Sequence, residues 1–350
     1  MYDHLIIGGG ISGCTLAFRL IEEGAKVMVI DQPANNISSL VAAGIVSPLT
    51  GKRIALTWKA TELFEELHRF YPFMERKLNE EFFYPLPTMK IFESIYEQNE
   101  WMTKRQGNGF DSFIEKEIFR QDEDALVNNP YGGLRIIKSG RLNLKVYLRL
   151  VHRWLKEKNA LLNLEFDSER AIINKNTIEW EGMKAQSIIF CDGTFANRNK
   201  FFNFLPFKPV HGELLEVEMP NFSEDRIINK GLFILPVGQQ KFMVGATYNW
   251  EETLPVLTNA GRMELELKLK ELVNCQYTII NQWAGIRPST NDRRPFLGKH
   301  PEYNNVFIFG GLGSKGVSLV PLLSGMFTNY LLHDVELPRD VDICRLKLLK

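Results

Sequence analysis

The chain has 350 residues, 45% of them hydrophobic and 24% charged, a balance that excludes a disordered or fibrous protein. At roughly one domain per 150 residues this length predicts two domains. Lysine plus arginine (42) equals aspartate plus glutamate (42), so no global charge points to nucleic acid, and only a local basic patch leaves that route open.

Four cysteines (Cys14, Cys191, Cys275, Cys344) lie far apart, and the histidines show no paired spacing of the kind a zinc site needs. The cysteines read as reduced core residues of a cytoplasmic protein. No basic segment followed by a long apolar stretch opens the chain, which argues against a signal peptide. The most apolar late stretch, 316–332, is interrupted by Pro321, Ser324, Thr328 and Asn329, and reads as a buried helix rather than a membrane span.

In chain order, His4 to Ile7 is an apolar strand that ends in Gly8-Gly9-Gly10, and Ile11 to Glu23 is a helix with Leu16 and Leu20 on its apolar side. Gly24 stops that helix. Lys26 to Ile30 reads as a buried strand ending at Asp31, so the first thirty residues form a β-α-β unit. Residues 35–53, rich in Ser, Ala and Gly, read as an ordered loop with a short helix. Residues 59–76 follow a helical period. From 79 to 138 the chain turns aromatic, charged and mixed in period, and a second domain begins there. A strong amphipathic helix covers 143–158. Strand patterns follow over 160–166, 170–173, 177–180 and 187–191, the last capped by Asp192-Gly193. An alternating region runs over 212–248 and a helix over 262–274. The apolar strand 306–309 leads straight into a glycine-rich turn and a helix. The whole suggests an α/β domain interrupted twice by pieces of a more strand-rich one.

The Gly8-x-Gly10-x-x-Gly13 turn carries weight because it follows a strand and opens a helix. Gly8 allows the tight turn, Gly10 lets a pyrophosphate approach the backbone, and Gly13 lets the helix close on the strand, with Ala17 and Gly24 also placed where helix and sheet approach. The helix N-terminus offers free N–H groups to phosphates, and Asp31 can accept from a ribose hydroxyl. This is a dinucleotide site. FAD and NAD both use such a turn. Three further small-residue segments, Ala42-Ala43-Gly44, Cys191-Asp192-Gly193 and 310–316, together favour FAD, whose ring must be gripped along its length.

Four segments then occur in one order: Leu5 to Gly13, Val41-Ala42-Ala43-Gly44-Ile45, Trp283-Ala284-Gly285-Ile286-Arg287-Pro288, and Gly310-Gly311-Leu312-Gly313-Ser314-Lys315-Gly316. In this combination the chain resembles, over nearly its whole length, the D-amino-acid oxidase family of FAD-dependent amine oxidoreductases, which includes glycine oxidase, sarcosine oxidase and D-amino-acid dehydrogenases. The last motif is also similar to the FAD module of a bifunctional tRNA wobble-uridine enzyme. The resemblance implies a Rossmann-type FAD-binding domain of the α/β class (1–78, 139–205 and 283–350). It also implies an α+β substrate domain on a mostly antiparallel sheet (79–138 and 206–282).

It further implies that Gly8, Gly10, Ile11, Ser12, Gly13 and Asp31 form the FAD turn and ribose acceptor. Ser39, Ala42, Ala43 and Gly44 would lie along the pyrophosphate and ring, and Gly193 near the middle of the cofactor. Gly311, Gly313, Ser314, Lys315 and Gly316 would turn backbone N–H groups to the flavin pyrimidine edge, where reduction places negative charge. Arg287 matches the arginine that holds a substrate carboxylate, a geometry guanidinium suits. Phe233 and Tyr248 match substrate-facing positions, although aromatic residues there also serve as core packing. His211 is preferred as a packed histidine, and Arg293 and Arg294 as a solvated turn. Ser314 departs from glycine-oxidase-like members, which carry arginine there. No cysteine stands near 285–288, so the flavin is expected to be non-covalent.

The chemistry implied is oxidation of the C–N bond of a small amino acid or N-substituted glycine by hydride transfer to flavin N5. Oxygen or another acceptor would take the electrons onward, and no integral membrane span or nucleic-acid partner is expected. The alternatives are tRNA wobble-uridine side-chain oxidation, an NAD-dependent dehydrogenase, or a flavoprotein subunit that binds without catalysing.

Overall fold

The computed structural model describes residues 1–32, 38–50, 54–105, 109–118 and 125–346. The apolar strand Tyr2–Ile7 lies between Val27–Ile30 and Met183–Phe190, all three parallel. Leu161–Leu162 extends this layer beside Val27–Ile30, and Val306–Gly310 extends it beside Met183–Phe190, again in parallel. Such strands are covered on both faces and so read as continuous apolar runs. Antiparallel pieces close the layer: Phe296–Lys299 on Val306–Gly310, and the hairpin Ile172–Ile173/Ile178–Trp180 on the first half of Met183–Phe190.

The helices, in order, are α1 (Ile11–Glu22), α2 (Ser38–Val41), α3 (Ala60–Leu78), α4 (Ile95–Lys104), α5 (Leu144–Glu157), α6 (Asn259–Leu272) and α7 (Gly316–His333). One face of the parallel layer packs against α1, α3, α5 and α7 in a core that includes Leu16, Leu67, Leu148 and Val320. The other face buries Phe190, Phe201, Phe202 and Ile308.

A second sheet has the order Thr278–Arg287, Val210–Glu218, Lys241–Gly245, Phe233–Gly238, Ile227–Asn229, Thr88–Ile91, Gly133–Ile136, Ile114–Ile118. All its pairs are antiparallel except Ile227–Asn229 with Thr88–Ile91. Leu265, Leu269 and Leu272 of α6 cover one face, against Leu215 and Val217. The opposite face looks toward the parallel layer. Between the two sheets, Gly140–Leu142 pairs with Ile45–Val46 and with Phe83–Pro85. The architecture is the α/β layer with a second, mostly antiparallel sheet that the sequence predicts. The strand Thr278–Arg287 runs unbroken across the expected boundary at 282/283 and lies in the second sheet.

Local differences have physical causes. Gly24 does not serve close approach: an added Cβ would meet nothing within 4 Å, and its φ of +88° is what ends α1. Of the loop expected over 35–53, residues 35–37 and 51–53 lie outside the described residues, and the remainder forms α2, Ile45–Val46 and Leu49–Thr50. Cys14 and Cys191 are buried as expected, but Cys275 is half-buried and Cys344 exposed, because Ile343 takes the inward position of the final helical turn. No helix among the described residues is long and apolar enough to cross a membrane.

Arg19 locks three helices together. Its guanidinium donates to Glu66 Oε1 of α3 at 2.6 Å, and to Pro321 O and Ser324 Oγ of α7, both at 2.9 Å, with Phe70 beneath it at 4.4 Å. Arg19→Leu leaves the mostly buried Glu66 carboxylate short of a partner. It should lower the unfolding free energy by about 2 kcal/mol, read as a lower thermal midpoint.

Candidate active site

The glycine turn sits at the C-terminal edge of the parallel strands. Gly8 has φ +105°, and an added Cβ there would strike Cys191 O. A Cβ at Gly13 would fall on Gly8 O, so the first turn of α1 lies directly on the strand end. Gly10 is different: an added Cβ would meet only Ser39 Oγ, at 3.3 Å, which leaves the space before the helix open. The Ile11 N–H donates to Ser39 Oγ at 3.2 Å, and no acidic residue occupies the first turn of α1. A helix end of this kind favours an anion. Asp31 Oδ1 accepts from the Gly9 N–H at 2.7 Å. On the inner side, Gly9 O is 2.8 Å from His152 Nε2 of α5.

The next strand end carries Asp192 and Gly193. Gly193 has φ +58° with nothing within 4 Å of an added Cβ, again open ground. Asp192 accepts from Asn199 Nδ2 at 2.9 Å, while its Oδ1 is buried without a hydrogen-bond partner. Burial pushes this carboxyl up to about 6, against the opposing effect of the Asn199 bond.

α2 joins the two sheets. Its Ser38 Oγ donates to Ile286 O at 2.6 Å, and Val41 fills the space over Gly285, so the helix leans on the inner face of the second sheet. The chain then passes Ala42, exposed, and Ala43, half-buried, to Gly44. Gly44 has φ +80° and lies flat on the backbone of Leu142, whose N–H donates to Gly44 O at 2.9 Å.

The last glycine loop closes the arrangement. Gly311 and Gly313 have φ +71° and +57°, conformations that glycine adopts without strain. The Gly313 N–H donates to Pro288 O and the Lys315 N–H to Leu312 O, so these two amides are engaged within the protein. Ser314 is exposed, and its N–H has no acceptor among the described residues. An added Cβ at Gly316 would meet Ile11 Cγ2 at 3.6 Å, so the loop ends beside the first glycine turn. The Lys315 side chain turns inward and donates to Thr57 Oγ1 at 3.2 Å. Burial, then Arg294 and Arg293, bring its pKa down to about 8.

Arg287 ends the strand Thr278–Arg287 and crosses the inner sheet face over Gly212, where any side chain would collide with it. Its Nη1 donates to His211 O and its Nη2 to Thr247 O, both at 3.1 Å, and Tyr248 lies under the guanidinium at 4.1 Å. No carboxylate pairs with it among the described residues, and burial lowers its pKa. Tyr248 is otherwise 60% exposed. Phe233 is half-buried on the same face, opposite Gly245, which in turn faces Leu214. His211 is a packed histidine, its Nε2 2.8 Å from Val256 O. Arg293 is exposed at φ 57° in a turn, whereas Arg294 is half-buried over Trp58 at 5.3 Å. Among the described residues no group of His, Cys, Asp or Glu could hold a metal ion. Arg141, Asp192, His152 and the side chain of Lys315 were not singled out in the sequence. Asp192 and Lys315 lie inside motifs read for their glycines. Arg141 stands on a three-residue strand that gives no period to read.

The pattern of the family described as FAD dependent oxidoreductase matches residues 3–330. Glycine oxidase of Bacillus subtilis is 24% identical over 374 residues, covering 95% of this chain and 93% of that one. The tRNA 5-methylaminomethyl-2-thiouridine biosynthesis bifunctional protein MnmC of Legionella pneumophila is 24% identical over 382 residues. That match covers 96% of this chain, which spans only 55% of the bifunctional protein's length. The crystal structure of glycine oxidase from Geobacillus kaustophilus superposes with a TM-score of 0.82 at 20% identity, covering 100% of this chain and 98% of that one. The chain belongs to the family of FAD-dependent oxidoreductases.

The residues suit that cofactor. Open ground at Gly10 and Gly193, the first turn of α1 with no acidic residue in it and the Asp192 oxygen without a partner among the described residues line one strand edge, where a dinucleotide binds in α/β sheets. In the flavin-free protein the depressed Lys315 means that the unfolded chain holds a proton the folded one gives up between about pH 8 and the ordinary lysine range. Stability therefore rises with pH through that window. Lys315→Met should raise the thermal midpoint of flavin-free protein at pH 7, and the gain over the parent should shrink by pH 9.5.

Proposed function

We propose that this FAD-dependent oxidoreductase oxidises the C–N bond of a small amino acid or N-substituted glycine. The observation that carries the reading is the Arg287 guanidinium, oriented by two main-chain carbonyls and left without a carboxylate among the described residues, on the face turned toward the parallel layer. A half-buried cation of this kind calls for an anion. Three of its five N–H donors are unengaged among the described residues, enough to take a carboxylate in bidentate fashion.

Bound FAD would supply the two-electron acceptor. We assign its non-covalent hold to the turn Gly8, Gly10, Ile11, Ser12 and Gly13 with Asp31, to Ser39 and Ala42 to Gly44, to Gly193, and to Gly311 and Gly313 to Gly316. The remaining task of the chain is orientation. Arg287 fixes the carboxylate end of the substrate, Tyr248 stacks on the guanidinium and limits its motion, and Phe233 walls the same sheet face. The substrate nitrogen enters as the free amine, and its lone pair drives loss of the α-hydrogen. A strong protein base is therefore not required, and holding the reacting atoms close is the chain's contribution.

Similarity to MnmC favours a second reading, oxidation of a glycine-like substituent on a tRNA wobble uridine. Turnover of free N-substituted glycines against modified tRNA separates the two.

The test is anaerobic bleaching of the flavin with glycine, sarcosine, proline and a panel of D-amino acids. Bleaching by at least one carboxylated amine is expected, and none by any of them would overturn the reading. Arg287→Ala should raise KM for that amine roughly ten- to hundred-fold, the loss of one charge-assisted carboxylate contact, with FAD still bound. An unchanged KM would remove the carboxylate role.

A further inference from the structure

Arg141 is a second guanidinium without a carboxylate among the described residues, on the other side of the same interface. It lies on Gly140–Leu142, whose neighbour Ile45–Val46 continues directly from Gly44. Directly opposed residues in a ladder share a face, so Tyr84, Arg141 and Ile45 form one row across the three strands. Val46 and Leu142 point the other way, into the core under α3 and α5. The row therefore faces the second sheet. The Arg141 Nη1 donates to Pro236 O at 2.9 Å, and Tyr84 stacks on the guanidinium at 5.0 Å.

That carbonyl is on the strand that begins with Phe233. Pro236 is three positions beyond Phe233, about 10 Å of extended chain. Arg141 thus reaches from the Gly44 side onto the sheet face that Arg287 reaches from its own strand end. Among the described residues one of its five N–H donors is engaged and no acid pairs with it. Burial disfavours its charged form. A half-buried arginine kept only to tie two sheets together would be expected to carry a carboxylate, as Arg19 does with Glu66.

We propose that Arg141 is a specificity-determining residue that receives a second carboxylate, so that the preferred substrate is an amine carrying two carboxylates, one on Arg287 and the other on Arg141. The inference rests on the assignment of Arg287 to a carboxylate and goes beyond it by fixing the substrate class. A substrate with a single carboxylate, such as glycine, leaves the second guanidinium unmatched.

The test is binding to the flavin-loaded protein without turnover. Straight-chain dicarboxylates from succinate to suberate are titrated, each against the monocarboxylate of equal carbon number, and the visible flavin spectrum reports occupancy. At one or more lengths the dicarboxylate should bind about ten-fold more tightly, one added charge-assisted contact. In Arg141→Met the ratio of the two dissociation constants should fall toward one, and Arg141→Lys should retain part of it. Equal affinities at every length in the unsubstituted protein would overturn the proposal even if Arg141→Met did not fold. A ratio that survives Arg141→Met would overturn it too. A purely structural strut at 141 would lower stability in that variant without moving the ratio. Because no oxidation is involved, failure of every amine to bleach the flavin would count against the proposed reaction alone, and the ratios would still decide the role of Arg141.

Discussion

A guanidinium held by two main-chain carbonyls and an aromatic face, with no acid among the described residues to neutralise it, is the constraint around which the rest of this fold is arranged. Arg287 can lie across the sheet only because residue 212 has no side chain, and it can be aimed only because His211 O and Thr247 O hold both terminal nitrogens. Left to itself a desolvated cation turns to water or loses its proton. Here the backbone of Val210–Glu218 and of the segment that follows Lys241–Gly245 prevents the first, and the high intrinsic basicity of arginine prevents the second. The orientation of this group is therefore set by the sheet and by the segment that continues one of its strands.

The same economy of side chains joins the two sheets. α2 rests on Gly285, the segment after Arg287 is tied through Pro288 O to Gly313, and Gly316 lies against Ile11. At Gly285 an added Cβ would press on Val41 at 3.2 Å, whereas at Gly316 it would make only ordinary contact with Ile11 at 3.6 Å. The result is a continuous run of close approaches from the first glycine turn, through the last glycine loop and the strand end at Arg287, to α2 and Gly44. A displacement at any one of them moves the arginine relative to the strand edge where a dinucleotide would lie. Motifs distant in sequence, at 8–13, 42–44, 285–288 and 310–316, thus meet in one connected set of contacts.

Much of this was legible in the sequence because it is written in local signals. A strand, a glycine turn and a helix follow one another in the first thirty residues, and α5 and α7 announce themselves by period and by apolar content. What escaped is non-local. Thr278–Arg287 is a ten-residue strand, yet Asn281, Gln282 and Gly285 break its alternation, and its pairing with Val210–Glu218 supplies the order that its composition lacks. Gly24 was legible as a helix stop but not as conformational need rather than close contact, since both leave a glycine in the sequence. Arg141 carries no pattern at all, and the motif that contains Lys315 says nothing of where its side chain turns. Their significance lies in which atoms surround them, and those come from residues 84, 236, 57 and 294.

Equal numbers of acidic and basic residues conceal an uneven field. Most of the ion pairs seen lie on the outer surface, where they contribute little, while Arg141, Arg287 and Lys315 stand at the inner interface without a carboxylate among the described residues. Burial works against the charge of all three. A fold that keeps three cations in such surroundings is less stable alone than with anions beside them, and ligands that bind only the folded state recover that difference by mass action. A zero net charge is therefore compatible with a strongly positive interior. The three cations stand near the interface between the two sheets, where a negatively charged cofactor and a carboxylated substrate would supply the anions that the described residues do not.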